Sequence, residues 1–191
     1  MVIGLTGPSG SGKSAVAACL REQGVFVIDC DLVAREVVLP KTPGLSALCA
    51  TFGNKILLED GSLNRKKLAE IAFSDPKLTQ KLNETIHPFI LKRIEELMAS
   101  VSAKTVCLDA PTLFQSGLDQ KCDRIIGVLA PYWLRLERIC ARDGLSLSAA
   151  KSRLAAQLPD DYFREHCHKL IENHGSLDEL RLKTLEVLHG I

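Results

Sequence analysis

The sequence predicts an α/β fold, a parallel sheet flanked by helices that carries a helical insertion and a helical lid. Three observations predict it. Short continuous apolar runs recur between helical stretches, the pattern of strands covered on both faces. The first of these runs leads straight into a glycine-rich loop that opens a helix. A long stretch with helical periodicity and no convincing strand separates the second apolar run from the third.

Met1 to Thr6, apolar and partly β-branched, reads as the first strand and meets Gly7-Pro8-Ser9-Gly10-Ser11-Gly12-Lys13-Ser14. The helix from about Lys13 carries Ala15, Val16, Ala18, Cys19 and Leu20 on its buried side. It stops at Gly24, a residue suited to a left-handed C-terminal cap. Val25 to Ile28 reads as a second strand, ending at Asp29-Cys30-Asp31 before a helix over Leu32 to Val38. Residues 37–102 read as the helical insertion, in which Asp75-Pro76 and His87-Pro88 each look like a helix start with proline at the first helical position. Thr105 to Leu108 and Arg124 to Leu129 read as buried strands, and Lys169 to Ile171 as a weaker one. Between the last two lies an arginine-rich helical lid, 131–166, and Ser176-Leu177-Asp178-Glu179 is a capping box that opens a terminal helix. The chain, 1–191, is thus expected to be one unit whose core comprises 1–36, 103–130 and 167–191.

A chain of 191 residues, 46% apolar and 25% charged, buries enough surface to hold a core without a disulfide or metal staple. Its 24 Lys+Arg against 23 Asp+Glu make no field that gathers nucleic acid or anionic membrane, so an anionic ligand must be captured locally. Seven scattered cysteines, with no C-x-x-C pair and no zinc spacing, read as reduced thiols of a cytoplasmic protein. Secretory or membrane-spanning character is not expected.

Gly7-x-x-x-x-Gly12-Lys13-Ser14 satisfies the P-loop pattern. Glycines let successive backbone N–H groups turn toward phosphate oxygens, and the following helix N-terminus adds partial positive charge. Lys13 would reach the β- and γ-phosphates of ATP and the Ser14 hydroxyl would ligate Mg²⁺. The bland alternative is a glycine turn capping a helix, which the position directly after a strand disfavours. The guanine motif N-K-x-D and the switch motif D-x-x-G are both absent, so a small P-loop kinase that closes over two substrates is the better fit. Asp29 and Asp31 lie at the carboxyl end of the second strand, where ligands of open parallel sheets gather. Either could hold Mg²⁺, directly or through water, and one could accept the proton of an acceptor hydroxyl; alternatively Asp31 only N-caps the following helix. Arg138 and Arg142 share a helix face, as do Arg153 and Gln157, suited to clamping phosphates or simply to facing solvent.

An ordered series of segments then resembles the dephospho-coenzyme A kinase family from near the first residue to the last. The series comprises Ile3-Gly4-Leu5-Thr6-Gly7 into the P-loop, Asp29-Cys30-Asp31 with Ala34-Arg35, Gly61-Ser62-Leu63-Asn64-Arg65-Lys66-Lys67-Leu68, Phe73-Ser74-Asp75-Pro76 and Ile86-His87-Pro88. It continues with Asp109-Ala110-Pro111, Arg138, Arg142-Asp143, Arg153, Ala156-Gln157 and Ile171-Glu172-Asn173-His174-Gly175. The resemblance implies a P-loop kinase core with a helical acceptor-binding insertion and a mobile lid. It implies transfer of the ATP γ-phosphoryl group to the ribose 3′-hydroxyl of dephospho-coenzyme A, with Mg²⁺; no obligate protein partner is evident in the sequence. Carried over by position, Asp31 looks like the general base, with Lys13 and Arg142 in the catalytic set. Gly10, Ser11, Gly12, Lys13, Ser14 and Ala15 look like the nucleotide loop, Arg138 and Arg142 like lid arginines near ATP, and Asn173 like a residue near the base. Arg65 and His87 look like the acceptor side.

The chain departs from the family pattern at Pro8-Ser9 and Ala15 in the loop, at Gln115 where a glutamate is usual, and at Cys167-His168-Lys169-Leu170. Two other readings stand beside the family one: another small P-loop kinase acting on a nucleoside, nucleotide or sugar acid, and a non-catalytic nucleotide-binding regulator.

Overall fold

The computed structural model describes residues 1–191 and divides them into two compact units, Met1–Ile28 with Ser102–Ile191, and Asp29–Val101. In the first, strands β1 (Val2–Thr6), β2 (Phe26–Asp29), β3 (Val106–Asp109), β4 (Arg124–Leu129) and β5 (Lys169–Glu172) form one sheet in the order β2-β3-β1-β4-β5. β1 runs parallel to β3 and β4, and β4 parallel to β5. The core beneath is made by Ile3, Leu5, Ile126, Val128 and Ile171 with Val16, Ala17 and Leu20 from α1 (Lys13–Glu22) and Leu180 from α9 (Leu177–His189). Each of the valine, leucine and isoleucine side chains contributes about 1.5–3 kcal/mol on leaving water.

The predicted stop at Gly24 is a Schellman closure. Gly24 has φ 79°, its N–H donates to Arg21 O, and the Val25 N–H reaches back to Leu20 O at 3.1 Å. The terminal cap forms as expected too, with Ser176 Oγ accepting from Glu179 N. The arginine-rich stretch folds as three helices, α6 (Tyr132–Asp143), α7 (Leu147–Ala155) and α8 (Asp160–His166). Leu136, Ile139, Ala150 and Leu154 join α6 to α7 through a small core of their own.

The second unit is helical: α2 (Cys30–Glu36), α3 (Pro43–Phe52), α4 (Arg65–Ala72) and α5 (Pro76–Ala99), with one antiparallel bridge, Leu57 to Leu63. Val38, Leu48, Phe52, Ile56, Leu68 and Ala72 form its core, backed by Leu78, Leu82 and Ile86. The unit begins at Asp29 rather than at residue 37, because α2 packs on α5 and Glu36 pairs with Arg93. His87-Pro88 is not a helix start: α5 runs through Pro88 without ending. An interior proline costs about 3 kcal/mol or more. Packing of α5 against α2, α3 and α4 offsets that cost along its length. Asp75-Pro76 does start the helix, with Asp75 accepting from Lys77 N at 2.7 Å.

No helix is long and apolar enough to cross a membrane. All seven cysteines are free thiols.

Candidate active site

The sheet order sends the chain to opposite sides of β1, which places a topological switch point at the carboxyl end of that strand. There the loop from Gly7 to Gly12 leads into α1, whose N-terminus has no side-chain cap and no acidic residue in its first turn. The amides of Lys13 and Ser14 are therefore left to an anionic ligand, while the Ala15 N–H donates to Gly12 O at 3.0 Å. Gly12 sits at φ 98°, and a Cβ there would strike the Asn173 side-chain amide. Gly10, at φ 79°, lies against α6, where a Cβ would come within 2.8 Å of the Arg135 carbonyl oxygen.

Lys13 Nζ pairs with the carboxylate of Asp109, which is 7% exposed at the end of β3. Register explains the meeting: Asp109 lies beside Leu5 of β1, and the Ala110 N–H donates to Leu5 O at 3.0 Å. The sequence reading gave Asp109 no role. A single carboxylate closing an otherwise apolar strand next to the loop-bearing strand was the signal available.

Around the loop, Arg138 Nη1 donates to Gly10 O at 3.1 Å, so the first lid arginine does reach it. Arg142, on the same helix, does not converge with it: its guanidinium makes two hydrogen bonds to Asp143, at 2.7 and 2.9 Å. Arg153 Nη1 meets the same carboxylate at 2.7 Å. The Arg142 hydrogen bonds hold the Asp143 carboxyl below the usual carboxylate range, and Asp143 raises the Arg142 guanidinium in turn. Arg153 and Gln157, by contrast, do not share a helix face. α7 ends at Ala155, and Gln157 turns to Ser9 of the loop. Arg135, 6% exposed, pairs with Asp160 at 3.0 Å.

Asn173, expected near the base, is 4% exposed and donates from Nδ2 to Ser11 O at 2.8 Å, so it braces the loop from behind. Ser11 Oγ is buried without a hydrogen-bond partner. Ser14 is exposed on the first turn of α1, and Ala15 is half-buried. Gln115, the departure from the family glutamate, is exposed, while its neighbour Phe114 packs edge-on against Tyr162 at 5.3 Å.

In the helical unit the capping residue of α2 is Asp29, whose Oδ1 accepts from Leu32 N at 3.0 Å. The helix starts at Cys30 rather than Leu32, and the alternative in which Asp31 serves as its cap is thereby ruled out. Asp31 instead stands exposed in the first turn, and no hydrogen bond or ion pair engages its carboxylate. Arg65 opens α4 with its side chain exposed, beneath an Asn64 cap that accepts from Lys67 N. His87 lies inside α5, half-buried, with Nε2 buried and unpartnered.

The family model for dephospho-CoA kinase matches residues 1–179. The chain belongs to the dephospho-CoA kinase family. A dephospho-CoA kinase of Moorella thermoacetica is 40% identical over 184 residues, spanning 94% of this chain and 87% of the relative. One from Oryza sativa is 38% identical over 193 residues, spanning 100% and 84%. Among solved structures, a Thermus thermophilus protein superimposes with a TM-score of 0.88 at 34% identity, over 100% of this chain and 97% of that one. The dephospho-CoA kinase of Campylobacter jejuni gives 0.71 at 27%, over 98% and 95%. A shikimate kinase, 18% identical with a TM-score of 0.56, shares the fold. As a dephospho-CoA kinase family member, the chain is a phosphotransferase with an alcohol acceptor.

Proposed function

We propose that this protein transfers the terminal phosphoryl group of ATP to the ribose 3′-hydroxyl of dephospho-coenzyme A, giving coenzyme A and ADP. The observation that carries this reading is the phosphate loop with an open helix N-terminus and Lys13 held by Asp109, in a chain of this family. The loop from Gly10 to Ala15 binds the ATP phosphates, with the amides of Gly10, Gly12, Lys13 and Ser14 as its open donors, and Lys13 leaves Asp109 to bridge the β- and γ-phosphoryl groups. Arg138, already at Gly10, lies on the nucleotide side, while Arg142 reaches phosphate only by releasing Asp143.

In the helical unit, Asp31 takes the proton of the 3′-hydroxyl as its oxygen bonds to the γ-phosphorus and the bond to the β-phosphate oxygen breaks. An exposed carboxylate not occupied in capping suits that task, whereas Asp29 is tied to α2. Arg65 and His87 bind the acceptor, and the buried, unpartnered His87 Nε2 supplies one polar contact.

The donor set fits magnesium, a hard cation that takes one or two protein oxygens and completes its shell with phosphates and waters. Ser14 Oγ and the Asp109 carboxylate would hold it, with Asp29 or Asp31 acting through water. When bound, Mg²⁺ neutralises charge on the β- and γ-phosphate oxygens. We place the reaction in the cytoplasm, where free thiols stay reduced.

A panel of acceptors with Mg²⁺ and ATP tests the reading. ADP should form with dephospho-coenzyme A and not with uridine, shikimate or AMP; turnover of one of those with none of dephospho-coenzyme A overturns it.

A further inference from the structure

The turn after α7 reaches the phosphate loop through one side chain. Gln157 Oε1 accepts from Ser9 N at 3.0 Å, and Gln157 Nε2 donates to Ser9 Oγ at 2.8 Å. The orientation of the amide is fixed by chemistry, because the Ser9 backbone N–H only donates and therefore faces the amide oxygen. Both bonds are partly buried and join residues 148 apart in sequence.

Gln157 is itself held in place. Ala156 caps the C-terminus of α7, the Gln157 N–H donates to Leu154 O at 3.2 Å, and Leu154 is buried in the small core shared with Leu136 and Ile139 of α6. That same helix pair grips the next loop residue: Arg138 holds the Gly10 carbonyl, and the Arg135 backbone leaves no room for a Cβ at Gly10. Two consecutive loop residues are thus fixed by one α6–α7 hairpin. Pro8, just before them, has no N–H to contribute.

We propose that Gln157 is a positioning residue for phosphoryl transfer, acting through Ser9 to lock the first turn of the phosphate loop to the α6–α7 hairpin. A loop whose amides must point at phosphate before the nucleotide arrives gains from being held, since preorganised donors need no rearrangement at the moment of reaction. Gln157 touches neither phosphate nor metal in this role. Its effect passes through the peptide N–H and hydroxyl of one neighbour.

The inference rests on the kinase reading, so its test separates nucleotide binding from acceptor chemistry by measuring MgATP affinity calorimetrically alongside turnover. Gln157→Met keeps the length of the side chain and removes both hydrogen bonds; Ser9→Ala removes only the hydroxyl partner. A hydrogen bond changes an equilibrium by about two- to tenfold. Gln157→Met is therefore expected to weaken MgATP binding about tenfold and to raise KM for ATP in step, with KM for dephospho-coenzyme A unchanged. Ser9→Ala alone should cost about threefold, and nothing further when added to Gln157→Met. Losses that simply add, equal rises in both KM values, or unchanged MgATP affinity would each overturn the proposal. Should Gln157→Met fail to fold, Ser9→Ala alone decides: an unaltered MgATP affinity overturns the proposal, and a threefold loss with an unaltered Tm upholds it. If ATP affinity behaves as expected while dephospho-coenzyme A is not phosphorylated, the loop coupling stands and the acceptor reading falls.

Discussion

Lys13 of the phosphate loop and Asp109 at the end of β3 form an ion pair between side chains that are 16% and 8% exposed. The pair holds the loop lysine beside β1. In the proposed reaction phosphate draws Lys13 away from Asp109, and the Asp109 carboxylate then serves a cation beside the loop.

Replacing Asp109 by Asn should therefore act on metal use more than on nucleotide capture. Turnover is expected to fall about 10- to 100-fold, the usual cost of losing a group that holds or orients a metal. The Mg²⁺ concentration giving half-maximal turnover should rise as well. A magnesium titration of Asp109→Asn checks this, and an unchanged half-maximal concentration contradicts it.

The two acidic residues at the start of α2 separate by their hydrogen bonds. Asp29 is the cap, so Asp29→Ala should cost about 1 kcal/mol of stability, which in a chain of this size lowers Tm by about 2–4 °C. Asp31→Asn should leave Tm unchanged while reducing kcat at least about 10²-fold, with ATP affinity little altered. Thermal melts and steady-state kinetics on both variants distinguish the roles; near-normal turnover in Asp31→Asn removes Asp31 from proton transfer.

At the far end of α6, Arg142 and Arg153 share Asp143. The Asp143 carboxyl is depressed, mainly by its hydrogen bonds to Arg142, so the folded protein binds this proton less readily than the unfolded chain. The interaction is present above the ordinary carboxyl value of about 3.9 and is lost as pH falls through the lower folded value. A carbon-13 NMR titration should place the Asp143 midpoint below that of a free carboxyl, and Arg142→Ala should move it up. The same variant should weaken phosphoryl transfer more than acceptor binding; equal losses in both count against a phosphate clamp.

Burial pushes the thiols of Cys122 and Cys167 up to about 12. Since the thiolate is the reactive form, both should resist iodoacetamide at pH 8 in the folded protein and react on denaturation. Mass spectrometry of labelled peptides reads this directly. Rapid modification of either in the native state contradicts their environment.

Much of the core was legible because its signals are local. Apolar runs marked β1, β3 and β4, and a glycine pattern marked the phosphate loop, with Gly24 and Ser176 marking helix boundaries. The resemblance to the kinase family came from the order of segments along the whole chain. What stayed hidden depends on tertiary contacts. Pro88 reads as a boundary, yet packing carries α5 through it. Helical spacing put Arg153 with Gln157, but α7 ends between them and sends one to Asp143 and the other to Ser9. The place of Asp109 depends on the sheet order that sets β3 beside β1, and that of Asn173 on the fold that brings its amide to Ser11 O.

The position of the transferred group is the most direct test. With γ-labelled ATP, Mg²⁺ and dephospho-coenzyme A, the label should appear as a ribose 3′-phosphate in coenzyme A, and Lys13→Ala should abolish its appearance. Label found only in inorganic phosphate, or on a different acceptor while dephospho-coenzyme A stays unlabelled, would contradict the account.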